Sequence, residues 1–179
     1  MTDASGDRPD RPDRSHRGEA AAARSPAHRS PRLVAVVAAG GALGTAARYA
    51  VSSLAPDDTW PWGTWSVNVV GALGLGVLLG WLALRGPDEG RRREVRLLVG
   101  TGFLGGFTTY SALAVETQGL LAAGRDGTAL AYALSTAVLG LAASLGGLRI
   151  GATGARRLER ARSAPEAAGP AAVAPGEQP

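Results

Sequence analysis

LLVGTGFLGGFTTYSALAVETQGLLAA, residues 97–123, carries one charge, Glu116, in an otherwise apolar run. A helix needs about 20 apolar residues to cross a bilayer core, so this stretch is long enough to span one. A buried helix of a water-soluble domain would keep a polar face, and none runs along it. At its middle Gly105 and Gly106 lower helix propensity, and the β-branched Thr108 and Thr109 do not restore it. The sequence therefore predicts a third helix broken at its middle. Non-helical backbone at membrane depth persists only when buried in protein or lining a polar cavity. On that ground alone Gly105–Thr109 is a candidate site.

Outward from this stretch, Gly63–Leu84 and Thr128–Leu148 are apolar and uncharged, and Leu33–Leu54 carries only Arg48. The fold class predicted is all-α integral membrane, with four transmembrane helices. The first span is too long for a cleaved signal peptide and contains Arg48, so it is read as retained. Residues 1–32 hold seven Arg, four Asp and four Pro, while 152–179 are mostly Ala, Pro, Gly and charge. Neither offers enough apolar surface to offset the entropy of ordering, so both are expected to be disordered cytoplasmic tails around a 33–151 membrane domain.

Charge sets the expected orientation. Seven Arg lie in 1–32, five in 85–96 and five in 149–162, whereas the opposite loops hold only Arg125, with Asp57 and Asp58. Basic flanks stay cytoplasmic, so both termini are expected inside a cell inner or plasma membrane. The same placement argues against nucleic-acid binding, since the Arg clusters flank spans and no soluble domain remains to carry a groove.

Cysteine is absent, which excludes disulfides and thiolate chemistry. Gly100-Thr-Gly102-Phe-Leu-Gly105 matches a dinucleotide fingerprint but lies inside a span, with no strand ending in an acid after it. No span carries a nucleophile–base–orienter set, so an enzyme is not expected. Small residues recur at Gly40, Gly41, Gly44, Gly71, Gly74, Gly76, Gly80, Gly140, Gly147 and Gly151. Their ordinary role is close helix packing, which implies a compact bundle and a dimer.

Polar residues inside the spans carry more information: Arg48, Asn68, Thr108, Thr109, Ser111, Glu116, Tyr132 and Thr136. Ser and Thr can bond their own helix. Arg48 and Glu116, each near the outer end of its helix, are read either as a pair or as snorkelling to the interface. Asn68 has no such local explanation, and its amide offers two N–H groups to a pathway.

Together these residues resemble the CrcB/Fluc fluoride channel family. The resemblance rests on Gly40-Gly-x-x-Gly44-x-x-x-Arg48-Tyr49, on Gly63-Thr64-x-x-x-Asn68-x-x-Gly71, and on Gly102-x-x-Gly105-Gly106-x-Thr108-Thr109-Tyr110-Ser111. It covers about residues 33–151. It implies an antiparallel, dual-topology-type dimer with two narrow fluoride pores and a structural sodium ion held by backbone carbonyls, here matched by Gly105 and Thr108. It also implies pores lined by Asn68, with Thr64, Tyr110, Ser111, Glu116 and Arg48 in the matching motifs, and a polar track at Tyr132 and Thr136. Fluoride is small and tightly hydrated, so a pore must replace water with convergent amide and hydroxyl donors, to which ring edges can add.

Two departures qualify the resemblance. The family presents two Phe three residues apart after the break, whereas this chain has Tyr110 and Leu113. Its charge bias also fixes one orientation, so an oppositely oriented paralogous subunit is the expected partner, in place of a second copy of itself. The function expected is passive export of cytoplasmic fluoride, which relieves its toxicity. The alternative, favoured by Leu113, is a non-conducting partner of a conducting paralogue. A coupled exporter ranks last, since Glu116 is its only intramembrane carboxylate and lies near a helix end.

Overall fold

The computed structural model describes residues 30–56 and 59–167, with side chains described as far as Arg162. Of the segments discussed above, residues 1–29, Asp57 and Asp58, and 168–179 lie outside the described residues. Helix α1 (Pro31–Leu54) opens with Pro in its first turn, where the missing N–H would have no helical partner anyway. Helix α2 (Trp62–Ala83) follows. The third span is composite: α3 (Gly90–Val95), a π-helical segment (Arg96–Leu104), α4 (Gly105–Phe107) and α5 (Tyr110–Ala122). Between α4 and α5 the backbone bends, with Thr108 and Thr109 extended at φ −81°, ψ 158° and φ −150°, ψ 125°. The last helix, α6, runs from Asp126 to Ala167.

Four helical stretches are long and apolar enough to cross a membrane: Pro31–Leu54, Trp62–Ala83, Gly90–Ala122 and Asp126–Arg162. No strand occurs among the described residues, and the dinucleotide look-alike falls within the π-helical segment and α4.

Burial follows the pattern expected of a chain whose solvent is lipid. Leu43, Leu54, Leu130, Val138 and Leu141 are all more than half exposed, while the buried polar side chains are Thr64, Thr109 and Thr136. Hydrocarbon tolerates apolar surface, whereas a hydroxyl there needs a partner inside the protein.

Two glycine seams hold the bundle. Along the first, α1 lies so close to the third span that a Cβ at Gly44 would overlap the Phe103 carbonyl oxygen. Facing it, one at Gly106 would overlap the carbonyl of Gly41. Along the second, α2 meets α6, and a Cβ at Gly76 or Gly80 would overlap the carbonyl of Ser144 or Leu148. Gly147 and Gly151 return the contact from α6. Backbone contact of this kind is how membrane helices gain dispersion energy without a hydrophobic driving force. Gly140 is different: a Cβ there would meet nothing within 4 Å.

The last helix continues past residue 151 to Ala167, through residues that the sequence reading assigned to the C-terminal tail. Ala, Arg, Leu and Glu dominate 155–162, and all are strong helix formers. Ala155 is fully buried, so packing as well as propensity carries the helix past residue 151.

Candidate functional site

The bend at Thr108–Thr109 redirects hydrogen bonds. In a continuous α-helix the Thr109 N–H would donate to the Gly105 carbonyl and the Ala112 N–H to the Thr108 carbonyl. Here Thr109 N donates to Asn68 Oδ1 at 2.8 Å, and Ala112 N donates to Thr109 Oγ1 at 3.2 Å. Thr109 is thus the N-cap of α5. The Gly105 and Thr108 carbonyls lose their usual donors. Freed carbonyls at membrane depth suit a hard cation that prefers oxygen ligands, so these two residues fit the group expected of them. Among the described residues no cluster of three His, Cys, Asp or Glu offers an alternative site.

Asn68 now has a structural role as well. Its Nδ2 donates to the Thr109 carbonyl at 2.9 Å while its Oδ1 accepts from the Thr109 N–H, so one side chain on α2 completes both backbone groups at the bend. One amide hydrogen is not used in this pair. Thr108 turns its hydroxyl back to the Leu104 carbonyl at 3.0 Å.

Asn68 lines an open groove of about 410 Å³ together with Thr108, Thr109, Tyr110, Leu113, Thr136 and Ala137. Tyr110 is 81% exposed at its edge. Thr136 donates to the Tyr132 carbonyl of its own helix at 2.7 Å. The exposed Ser111 lies 3.3 Å from the Thr109 hydroxyl.

Toward the other end of α5, Glu116 joins three helices. Thr64 Oγ1 donates to Oε1 at 2.8 Å, and Tyr132 Oη donates to Oε2 at 2.5 Å. Tyr132 is fully buried and Thr64 nearly so. The pairing of Glu116 with Arg48 considered from the sequence is not formed, because hydroxyls from α2 and α6 already satisfy the carboxylate. Arg48 is half-buried on α1 and lines neither the Asn68 groove nor the second cleft described next.

Removing both donors, with Thr64→Val and Tyr132→Phe together, is expected to destabilise the protein by more than the two single changes summed. Each single change leaves the carboxylate one charge-assisted bond, worth about 1.5–3 kcal/mol, and the double leaves none. Thermal unfolding of the four proteins measures the coupling, and strict additivity would count against the triad.

Thr64 and Glu116 also open onto a second cleft, where Ser52, Ser53, Trp60 and Trp62 form the walls. Sequence reasoning did not single out these residues. Trp60 packs edge-on against Tyr132 at 5.6 Å, and its buried indole N–H has no hydrogen-bond partner. Trp65 donates to Ser135 at 3.2 Å. The available signal was the run Trp60-Pro-Trp-Gly-Thr-Trp65 at the head of a span, where aromatic residues commonly mark the membrane interface.

The family model described as CrcB-like protein, Camphor Resistance (CrcB), matches residues 35–148. Fluoride-specific ion channel FluC 2 of Leifsonia xyli is 54% identical over 134 residues, covering 74% of this chain and 92% of that protein. Fluoride-specific ion channel FluC 1 of Cutibacterium acnes is 47% identical over 114 residues, 63% of this chain and 80% of its own length. Fluoride-specific ion channel FluC of Novosphingobium aromaticivorans is 44% identical over 121 residues, 65% and 93% respectively.

Proposed function

The chain belongs to the CrcB-like family, and on that footing we propose that it is a fluoride-selective passive channel subunit through which cytoplasmic fluoride leaves the cell. The observation that carries this reading is the groove that brings the Asn68 amide together with Thr109 and Thr136 along an otherwise apolar wall, on a chain whose relatives are named fluoride-specific ion channels. The spare amide hydrogen of Asn68 and the ring edge of Tyr110 are the donors that replace fluoride's hydration water. Family membership argues for transport and against enzymatic catalysis. In a fluoride-sensitive host without its own exporters, expression of this chain with its paralogue is expected to restore growth on fluoride. Failure to do so, with both proteins in the membrane, would count against the reading.

The partner is an oppositely oriented paralogue. The one-sided distribution of Arg supports this, since it keeps both termini of this chain cytoplasmic. Numbered names among the relatives, FluC 1 and FluC 2, are consistent with paired paralogues. A reporter fused to the C-terminus should read cytoplasmic in nearly all molecules, and comparable populations in both orientations would remove the need for a second gene.

The Gly105 and Thr108 carbonyls hold a structural sodium ion, which would neutralise the exposed carbonyl dipoles at the bend. Two carbonyls are fewer than a hard cation takes, so the partner subunit supplies the rest. Replacing sodium by a bulky organic cation is expected to lower stability by about 2.7 kcal/mol relative to sodium at a hundredfold excess over its dissociation constant. An unchanged unfolding midpoint would rule out a sodium contribution.

A second reading has one specific observation in its favour. Leu113 takes a wall position in the groove and packs against the Tyr132 cluster, where a ring would have offered its edge. In that reading this chain folds and stabilises a conducting paralogue without conducting itself.

A further inference from the structure

The Arg-rich end of the bundle offers more than an orientation signal. Among the described side chains, eleven arginines gather there against four carboxylates. Three of the arginines converge from separate segments on one cleft of about 270 Å³: Arg85 from the end of α2, Arg92 from α3 and Arg162 from the extension of α6. Leu84 and Leu158 complete the cleft wall beside Glu159. Arg85 is held in place by its guanidinium, which stacks 3.9 Å over the Trp81 ring. The guanidinium of Arg92 donates to the Pro87 carbonyl at 3.4 Å.

Arg92 also lines the neighbouring groove, where Leu79, Leu82, Ala83 and Leu148 form an apolar wall from α2 and α6 and the Asp88–Arg96 ion pair, 2.6 Å apart, lines the loop side. The cationic cleft and the apolar groove thus meet at Arg92, and the groove's Leu79, Leu82 and Leu148 lie on helices long and apolar enough to cross a membrane. A free phosphate would use only the first. A molecule with an anionic head and an acyl chain uses both.

We propose that this paired cleft and groove bind an anionic phospholipid, with its headgroup phosphate held by Arg85, Arg92 and Arg162 and an acyl chain lying against Leu79 and Leu148. Planar guanidinium groups suit phosphate oxygens, and juxtamembrane arginine clusters draw acidic lipids. The site rests on the spans being embedded in a bilayer and not on the identity of the transported ion.

The test is lipid retention by the purified full chain, read by native mass spectrometry and by thermal shift on titration with phosphatidylglycerol, phosphatidylcholine or inorganic phosphate. Each arginine near an anionic surface is worth roughly fivefold in affinity, so Arg85→Gln, Arg92→Gln and Arg162→Gln together should weaken phosphatidylglycerol binding on the order of a hundredfold. Arg156→Gln, Arg157→Gln and Arg160→Gln remove the same charge from exposed positions outside the cleft, lose no direct bond to the headgroup, and should cost clearly less than the cleft triple. Equal losses in the two triples would mean a diffuse basic field and overturn the site. Inorganic phosphate stabilising as well as phosphatidylglycerol, or phosphatidylcholine binding as tightly, would overturn it too. If the cleft triple does not fold, Arg162→Gln alone, at an exposed position, should lose about fivefold, and an unchanged affinity would overturn the site.

Discussion

Asn68→Asp in the assembled channel is expected to reduce fluoride efflux through the pore that Asn68 lines by at least about a hundredfold. The substitution keeps the side-chain size and leaves an oxygen to accept the Thr109 N–H. It removes the N–H that donates to the Thr109 carbonyl, and with it the second amide hydrogen of a residue that lines the groove. It also brings a negative charge to the anion path. Two unit charges about 4 Å apart interact by about 4 kcal/mol at an effective dielectric constant near 20, which exceeds the roughly 2.7 kcal/mol that a hundredfold change in rate requires. The lost bond to Thr109 costs a further 1–3 kcal/mol of stability, on the order of what a folded domain can absorb. Efflux is measured by fluoride electrode on proteoliposomes, with size exclusion confirming assembly. Undiminished efflux would mean that Asn68 only completes the backbone at the bend, and would favour the non-conducting reading of this chain.

Gly44→Leu is expected to abolish accumulation of folded protein, and Gly44→Ala to lower the thermal midpoint by on the order of 10 °C or more. The added Cβ overlaps the Phe103 carbonyl oxygen and lies 2.9 Å from the Phe107 nitrogen, so backbone and not a movable side chain stands in the way. Overpacking against side chains typically costs 1–3 kcal/mol. Here the relief must come from parting α1 from the π-helical segment, which also forfeits the contacts at Gly102 and Gly106. Gly140→Ala is the control. Its Cβ meets open space, so the change should be neutral or stabilise the helix by up to about 1 kcal/mol. Equal effects at the two positions would contradict the seam.

These two positions also mark what the sequence does and does not reveal. Gly44 and Gly140 look alike as small residues in apolar spans, and only the helix pairing tells them apart. The spans themselves were legible because hydropathy is a local property: the expected Leu33–Leu54 and Gly63–Leu84 differ from α1 and α2 by only one or two residues at an end. The bend at Thr108–Thr109 falls within the stretch of weak helix formers picked out from composition. Its consequence was not legible. The partner of Thr109 lies 41 residues away on α2, and no spacing rule links a side-chain amide to a backbone so distant.

The π-helical segment was not legible either. Arg96–Leu104 includes good helix formers and would read as ordinary α-helix, and the close approach of α1 to it at Gly40 and Gly102 is equally hidden in the sequence. Glu116 is a related case. The sequence left it either paired with Arg48 or snorkelling to the interface, and the structure satisfies the carboxylate with two uncharged hydroxyls. In a low-dielectric site two good hydrogen bonds meet the need of an anion without burying a second charge. The extension of α6 was hidden for a different reason, since a composition of Ala, Arg and Glu suits both a solvated tail and a helix.

The central claim, that this chain contributes to a fluoride-conducting pore, is tested most directly by fluoride release from liposomes holding the chain together with its paralogue. The account predicts rapid fluoride release with no comparable chloride release, and slower release when this chain carries Asn68→Asp. Release no faster than from empty liposomes, with both subunits folded and assembled in the membrane, would contradict it.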